Sequence, residues 1–164
     1  MEELGRQSGA LSGVMSDKYD ALKLENQLCF PLYACSKEIV RAYTPYLDEI
    51  GLTYTQYITM MVMWEHKELR VKEVGKLLYL DSGTLTPLLK KLEEKGFVTR
   101  RRSDTDERDV IVSITESGEA LREKAVLIPA KLGGCIGLDP QKARALYELL
   151  YELLEKSASA GNNR

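Results

Sequence analysis

Three cysteines, Cys29, Cys35 and Cys135, carry the most reactive side chains in this sequence of 164 residues. Cys29 and Cys35 are six positions apart (35 − 29), in a segment whose apolar pattern predicts a helix. Six helical residues give a rise of about 9 Å and a turn of about 240°, so the two side chains point apart. A disulfide needs Cα atoms within about 7 Å. The spacing therefore excludes a Cys29–Cys35 bridge in an intact helix and favours Cys35 as a small packing residue.

Cys29 is the candidate reactive thiol. The helical pattern begins near Leu24 and ends near Gly51, and Pro31 either lies in the first turn or kinks the helix. In a first turn, the unpaired backbone N–H groups and the helix dipole favour a thiolate. A thiolate that attacks a peroxide becomes a sulfenic acid, which condenses with a second thiol. Whether Cys29 gains this activation depends on the place of Pro31.

The composition bounds the other kinds of site. His66 is the only histidine and no two cysteines have CxxC spacing, which argues against a zinc site, and no cofactor is predicted. The formal net charge is −2, with 23 basic against 25 acidic residues, so binding to DNA needs a local basic patch. The N-terminal segment is not apolar and no run is long enough to span a bilayer. We expect a soluble cytoplasmic protein with reduced thiols and no membrane partner.

The order of the elements predicts the fold. After a mobile tail and the first helix, Thr53 or Thr55 caps a second, buried helix. Two short amphipathic helices lie on either side of residues 79–83, and two strands, 97–102 and 108–115, then form a hairpin. Helix, helix and hairpin in this order are typical of a winged helix-turn-helix. The predicted fold class is mainly α with a small β-hairpin wing.

The C-terminal part of the sequence predicts a homodimer. Thr115 caps a helix that Pro129 breaks near Ile128, and Asp139 with Pro140 opens a final helix after a glycine-rich stretch. The final helix has a broad apolar face that needs a partner, and a second copy of the chain is the simplest one. The predicted division is a tail at 1–17, helical dimerisation regions at 18–51 and 116–164, and a DNA-binding winged helix-turn-helix at 52–115.

Small and basic residues occupy the two elements that a winged helix presents to DNA. The N-terminal end of the second helix lies nearest the base edges, and basic side chains contact phosphates. Arg108, between Asp106 and Asp109, is placed to be held by a carboxylate and aimed into a minor groove. A solvated basic hairpin on an ordinary helical domain would show the same charges, but the architecture favours DNA binding. The predicted DNA-binding residues are Ser82, Gly83, Thr84, Thr86, Pro87, Lys90, Arg100, Arg102, Asp106 and Arg108.

Four stretches carry a resemblance to a known family. They are KLENQLCFPLY around Cys29, LTYTQYITMMVMWEH, LYLDSGTLTPLLKKLEEKGFVTRRRSDTDERDV and ITESGEALREKA. Over about residues 22–155 the chain resembles the MarR family of dimeric winged-helix repressors, and within it the organic-hydroperoxide-sensing branch, OhrR. The resemblance implies a homodimer that binds double-stranded operator DNA and leaves it when an organic hydroperoxide oxidises Cys29. It also implies that two tyrosines of the partner subunit, at the positions of Tyr43 and Tyr54, hydrogen-bond the thiol, and that Cys135 resolves the sulfenic acid across the dimer.

Helical spacing gives a separate test of this arrangement. Tyr43 follows Cys29 by 14 positions (43 − 29), which puts both on nearly the same helix face but about 21 Å apart along the axis. They cannot touch within one chain, and they can meet where two first helices pair antiparallel across a two-fold axis. Tyrosines that pack an ordinary helix interface fit the same spacing, so the residues alone leave both arrangements open.

Two other functions share parts of this pattern. A repressor of the same family that is induced by a small aromatic ligand, without redox chemistry, would have the same fold. A thiol peroxidase would share the cysteine chemistry, but the sequence has no PxxxTxxC motif and no thioredoxin-like alternation of strands and helices, so we predict that the protein is not an enzyme. Apolar neighbours of the thiol, such as Phe30 and Leu32, favour an alkyl hydroperoxide over hydrogen peroxide.

Overall fold

The computed structural model describes residues 18–103, 106, 109–132 and 137–161. The predicted tail at 1–17, Arg108 and Cys135 lie outside these residues. The chain divides into two compact units, Met1–Ala125 and Val126–Arg164, and we describe each by itself. The elements within the described ranges are 3-10 turns at Asp20–Leu22 and Leu24–Asn26, α1 (Cys29–Asp48), α2 (Tyr54–His66), β1 (Glu68–Arg70), α3 (Val71–Leu78), α4 (Ser82–Glu94), β2 (Val98–Arg102), β3 (Val110–Ile114), α5 (Glu116–Ala125), α6 (Ile128–Leu132) and α7 (Pro140–Gly161).

Helix α1 begins at Cys29 and not near Leu24, because the residues before it form 3-10 turns. Side-chain amides hold these turns together: Asn26 Nδ2 donates to the Asp20 carbonyl oxygen at 2.8 Å, and the Gln27 amide donates to the Ala21 carbonyl oxygen. Pro31 is therefore the third residue of α1 and lies in its first turn, where its missing N–H has no helical acceptor to lose. The choice that Pro31 left open is resolved, and Cys29 lies at the helix N-terminus.

Helix α2 forms the centre of the first unit. A capping box begins it, in which Thr53 Oγ1 accepts the Gln56 N–H at 3.4 Å and Gln56 Oε1 accepts the Thr53 N–H at 3.2 Å. Thr53, and not Thr55, is therefore the cap. Trp64 near the other end is buried, and its Nε1 donates to the Gly118 carbonyl oxygen at 2.8 Å. This bond joins α2 to α5 across 54 positions of sequence.

A tight turn joins α3 to α4. Tyr79 adopts the left-handed conformation (φ 55°), and the Leu80 N–H donates to the Gly75 carbonyl oxygen at 2.9 Å. A Cβ on Gly75 would lie 2.8 Å from the Leu80 carbonyl oxygen, so only glycine allows this close approach. Asp81 then caps α4 by accepting the Thr84 N–H at 2.9 Å.

Asp81→Ala is expected to lower the melting temperature at pH 7, because α4 loses its N-terminal cap. Hydrogen bonds from the Thr84 backbone and hydroxyl lower the pKa of the Asp81 carboxyl. A carboxyl with a lowered folded-state pKa stabilises the fold above its unfolded-state pKa, and this stabilisation is lost as the pH falls through the folded-state pKa. The gap in melting temperature between wild type and Asp81→Ala should therefore shrink below about pH 4. Asp81→Asn keeps an acceptor that does not titrate, so its melting temperature at pH 7 should lie closer to that of wild type than the melting temperature of Asp81→Ala does. A difference in melting temperature between wild type and Asp81→Ala that stays constant with pH would contradict this assignment.

The wing belongs to a three-stranded antiparallel sheet with the order β1-β3-β2. The two predicted strands are present and shorter than predicted, and Arg100 pairs with Val112 in their register. Strand β1 was not predicted, because three residues are too few to show an alternating pattern. It exists because it pairs with β3, Glu68 opposite Ser113. The prediction of a mainly α fold with a β wing is confirmed, with one strand added.

One prediction about the helices after the sheet is wrong. Helix α5 ends at Ala125, before Pro129, and Pro129 is instead the second residue of α6, near a helix start where proline is tolerated. Asp139 opens α7 as predicted, since its Oδ1 accepts the Gln141 N–H at 2.9 Å. None of the helices in the described ranges is long and apolar enough to cross a membrane. Large apolar side chains of α7 are exposed, namely Leu146, Tyr147, Leu149, Tyr151, Leu153 and Leu154.

Candidate DNA-binding surface and thiol site

The buried stripe of α4 determines which face the helix exposes. Leucines at intervals of three and four residues, from Leu85 to Leu92, are buried in the first unit. The predicted DNA-binding residues of this helix all lie outside the stripe and are exposed: Ser82, Gly83, Thr84, Thr86, Pro87 and Lys90. Local folding of α4 therefore places its small and basic residues on one accessible surface.

Two hydroxyls on this surface are held by α4 itself. Thr84 Oγ1 donates to Asp81 Oδ2 at 3.0 Å, and Thr86 Oγ1 donates to the Ser82 carbonyl oxygen at 2.7 Å. Each hydroxyl hydrogen is thus in use, while each oxygen keeps lone pairs that can accept a hydrogen bond. The amino groups of adenine and cytosine are the donors of this kind in the major groove. The cap orients the Thr84 hydroxyl as an acceptor, and the first turn of α4 does the same for Thr86.

The consecutive arginines of β2 have different surroundings. Arg100 is held by Glu93 of α4, with its side chain 24% exposed, and its Nη2 lies 2.6 Å from Glu93 Oε2. Arg101 reaches the opposite side, where its Nη2 lies 3.3 Å from Glu68 Oε1 of β1. Arg102, at the end of β2, is exposed. Arg100 was predicted to contact DNA, and the structure places its guanidinium against a carboxylate of α4, the predicted recognition helix.

Backbone hydrogen bonds close the described base of the wing. The Ser103 N–H donates to the Asp109 carbonyl oxygen, and the Asp109 N–H donates to the Asp106 carbonyl oxygen, both at 2.9 Å. The Asp109 carboxylate lies 3.6 Å from Arg70 Nε at the end of β1. Asp106 is half-buried at this turn, and the role predicted for Arg108 remains a prediction because that residue lies outside the described part.

Tyr43 and Tyr54 meet within one chain. Their ring centroids are 5.1 Å apart in an edge-to-face arrangement, and the Tyr57 ring lies 5.9 Å from that of Tyr43. Burial, and then the proximity of Tyr43, raise the pKa of the Tyr54 hydroxyl. The same causes raise the pKa of Tyr57. Because a tyrosine with a raised pKa keeps its proton at neutral pH, Tyr54 remains a hydrogen-bond donor.

Cys29 lies at the far end of the same helix from Tyr43. It is the first residue of α1 and is exposed. Both residues are in α1, so the 14 positions between them place Cys29 about 21 Å from Tyr43 along the axis. Cys35 is also exposed in one copy of the chain, so its predicted role as a small packing residue stays a prediction. One copy of the chain therefore brings the two tyrosines together and leaves the thiol apart from them.

Sequence reasoning missed Glu93, Glu68 and Tyr57. Glu93 is seven positions before Arg100, and the glycine turn between them was the only sequence signal for their contact. Glu68 gave no signal, because the strand that carries it was not predicted. Within residues 18–103, 106, 109–132 and 137–161, no group of three His, Cys, Asp or Glu side chains could hold a metal ion.

Comparison with known sequences finds transcriptional regulators. The family described as transcriptional regulator SarA/Rot matches residues 41–125. The organic hydroperoxide resistance transcriptional regulator of Bacillus subtilis (strain 168) is 52% identical over 144 residues, which cover 86% of this chain and 96% of that protein.

Comparison with solved structures finds AbfR of Staphylococcus epidermidis in reduced, overoxidised and disulfide-bonded forms. Reduced AbfR bound to DNA has a TM-score of 0.71 and 31% identity, over 87% of this chain and 99% of AbfR. AbfR with its disulfide formed has a TM-score of 0.55 and 30% identity, over 90% of this chain and 97% of AbfR.

Proposed function

Because the chain belongs to the MarR family of winged-helix DNA-binding transcriptional regulators, in the branch of the organic hydroperoxide resistance regulators, we propose that it is a dimeric repressor which leaves its operator when Cys29 is oxidised. It is a regulator of transcription and not an enzyme. The observation that carries the proposal is the thiol of Cys29 at the N-terminus of α1, in a chain whose Tyr43 and Tyr54 form a preassembled pair. Its setting is a reducing cytoplasm, in which Cys29 begins as a thiol.

A second copy of the chain completes the proposed site. Two α1 helices that pair antiparallel across a two-fold axis bring Cys29 of each copy to the tyrosine pair of the other. Six large apolar side chains between residues 19 and 33 are exposed, which supports a partner for this segment, since large exposed apolar patches mark interaction sites. These side chains are Tyr19, Leu22, Leu24, Leu28, Phe30 and Tyr33. The same surface would favour an alkyl group on the peroxide.

The proposed chemistry is a two-electron oxidation of sulfur. The Cys29 thiolate attacks the terminal oxygen of the hydroperoxide, an S–O bond forms, and the O–O bond breaks. The leaving alkoxide takes a proton and departs as an alcohol. Hydroxyls of Tyr43 and Tyr54 donate to the sulfur and hold it at the site. The sulfenic acid then condenses with the Cys135 thiol of the other copy, which forms an S–S bond and releases water.

Release of DNA follows if oxidation favours a different dimer geometry. Two recognition helices must fit successive major grooves, about 34 Å apart. A disulfide across the dimer stabilises one dimer geometry more than the other. It therefore shifts the population toward that geometry. The DNA-binding residues in this proposal are Arg102, Asp106 and Arg108 of the wing and six residues of α4, namely Ser82, Gly83, Thr84, Thr86, Pro87 and Lys90.

DNA release by peroxide tests the proposed function. A fluorescent duplex that the protein selects from a random-sequence pool is bound by the reduced dimer, and fluorescence anisotropy follows its release. One equivalent of cumene hydroperoxide per subunit is expected to release the DNA, and the same amount of hydrogen peroxide to release much less. Release by a non-oxidising aromatic acid, with no effect of cumene hydroperoxide, would instead establish the ligand-induced alternative.

Intact mass and non-reducing gels on the same samples test the resolving thiol. Wild type is expected to form a covalent dimer, and Cys135→Ser to stop at the sulfenic acid or its higher oxides. A covalent dimer that survives Cys135→Ser would assign the resolving role to another residue.

A further inference from the structure

Glu93 connects the recognition helix to the wing through one carboxylate. Its Oε2 accepts hydrogen bonds from Arg100 Nε at 2.9 Å and Arg100 Nη2 at 2.6 Å. Its Oε1 accepts the backbone N–H of Arg100 at 3.0 Å. Strand β2 is at the edge of the sheet, so this N–H has no strand beside it to accept its hydrogen bond. The last turn of α4 thereby holds both the side chain and the backbone of the wing strand.

The covalent connection between these elements is short and includes a glycine in the left-handed conformation. Residues 95–97 join α4 to β2, and Gly96 adopts φ 75°. Arg100 and Arg101 are successive residues of β2 and point to opposite faces. Glu68 of β1 holds Arg101 and also accepts a hydrogen bond from Ser113 Oγ of β3 at 2.5 Å. The base of the wing is thus held on one face by α4 and on the other by its own sheet.

We infer that Glu93 is a positioning residue for DNA binding, which acts through Arg100 to fix the angle between the wing and the recognition helix. The inference rests on the DNA-binding function proposed above. A helix in the major groove and a wing in the minor groove must engage one duplex together, and fixing their angle in advance removes the cost of ordering them on binding. The Glu93–Arg100 ion pair is half-buried and also holds the backbone of β2, so its effect on folding stability is measured separately from its effect on DNA affinity.

The sign of the effect separates positioning from simple charge. Glu93 is a negative group near the DNA-binding surface, so removing its charge would strengthen binding to phosphates if charge alone mattered. Positioning gives the opposite result, since Glu93→Gln loses most of its hold on Arg100 and the wing loosens. In this arrangement Arg100 does not contact a phosphate directly, because its guanidinium donates its hydrogen bonds to Glu93.

Glu94→Gln is a matched control for Glu93→Gln. Both changes remove one carboxylate from the same turn of α4, but Glu94 lies 4.0 Å from Lys90 on the helix surface and not at the wing. With the duplex selected by wild type, Glu94→Gln is expected to bind as tightly as wild type or more tightly. Glu93→Gln is expected to bind about fivefold more weakly, at the low end of coupling between sites. Thermal melting should show all three proteins folded with similar melting temperatures.

A double-mutant cycle tests whether Glu93 acts through Arg100. A general loss of stability would not produce the result that the cycle looks for. If Glu93 acts through Arg100, the double variant Glu93→Gln with Arg100→Gln binds no more weakly than either single variant. The salt dependence of binding should then match wild type in every variant. A direct phosphate contact by Arg100 would instead reduce the slope of log K against log salt by about 0.9 per phosphate in Arg100→Gln.

The outcomes are distinguishable. If wild type selects no duplex, the DNA-binding function fails and takes the inference with it. If wild type binds but Glu93→Gln matches Glu94→Gln, or Arg100→Gln reduces the salt slope, the inference alone is overturned. A specific loss in Glu93→Gln, without further loss in the double variant and with an unchanged slope, supports it.

Discussion

Cys29→Ser is expected to bind operator DNA with wild-type affinity and to remain bound after treatment with organic hydroperoxide. A serine hydroxyl is similar in size to the thiol but is not oxidised, so binding is retained while the trigger is lost. Cys29 is at the N-terminus of α1 and does not belong to the winged helix-turn-helix elements that contact DNA. Anisotropy of the bound duplex during a cumene hydroperoxide titration measures both properties. We expect no release at concentrations at least tenfold above those that release wild type.

Cys35→Ser is the matched control for this change. Cys35 is on the same helix and is also exposed, but it lies about 9 Å further along the axis and on another face. Its variant should release DNA at the same peroxide concentration as wild type. If peroxide released DNA from Cys29→Ser but not from Cys35→Ser, the assignment of the sensing thiol would move to Cys35. If both variants released DNA at the same peroxide concentration as wild type, the thiol mechanism would be wrong.

The parts of the fold that could be predicted are those with a local pattern. The leucine stripe of α4 repeats over several residues, so its buried face follows from the sequence alone, and the alternation in β3 predicts a strand. Asp81 and Asp139 are caps because a short polar side chain before a helix has an N–H group within reach. These features depend on neighbours within four positions, which a sequence displays directly.

The features that could not be predicted depend on distant partners. The start of α1 at Cys29 depends on side-chain amides that reach back six positions to Asp20 and Ala21. Strand β1 depends on β3, since Glu68 pairs with a residue 45 positions later. No pattern of three residues indicates such pairing.

The candidate site was predicted in the same uneven way. The spacing of Cys29 and Tyr43 excluded contact within one chain, and the structure has both residues in one helix. The proximity of Tyr43 to Tyr54 came only from family resemblance, because it depends on how α1 packs against α2. Arg100 was placed among DNA contacts on charge, and its engagement with Glu93 depends on the turn between α4 and β2, whose geometry spacing does not give.

Gly118→Ala is expected to lower the free energy of unfolding by about 3 kcal/mol, as overpacking of a close contact does. A Cβ at this position would lie 2.1 Å from the Phe97 carbonyl oxygen and 2.9 Å from Ile114 Cγ1. Phe97 cannot move freely, since the same carbonyl oxygen accepts the Thr115 N–H at 3.1 Å. Gly118 is also fixed from the other side, because its carbonyl oxygen accepts the indole N–H of Trp64. The helix must therefore shift away from the strand, and the buried hydrogen bond to α2 lengthens with it.

Urea unfolding measures this cost through Trp64, the only tryptophan in the chain, whose indole is buried and bonded to Gly118. Two controls separate collision from other effects. Ser117→Ala changes the exposed neighbour in the same helix and should leave the midpoint nearly unchanged. Gly51→Ala has a positive φ of 68° and open space around the new Cβ, so backbone strain alone should cost about 1 kcal/mol. The expected order of destabilisation is Gly118→Ala, then Gly51→Ala, then Ser117→Ala. If Gly118→Ala and Ser117→Ala unfolded at the same urea concentration, α5 could not lie against Phe97 as closely as the structure has it.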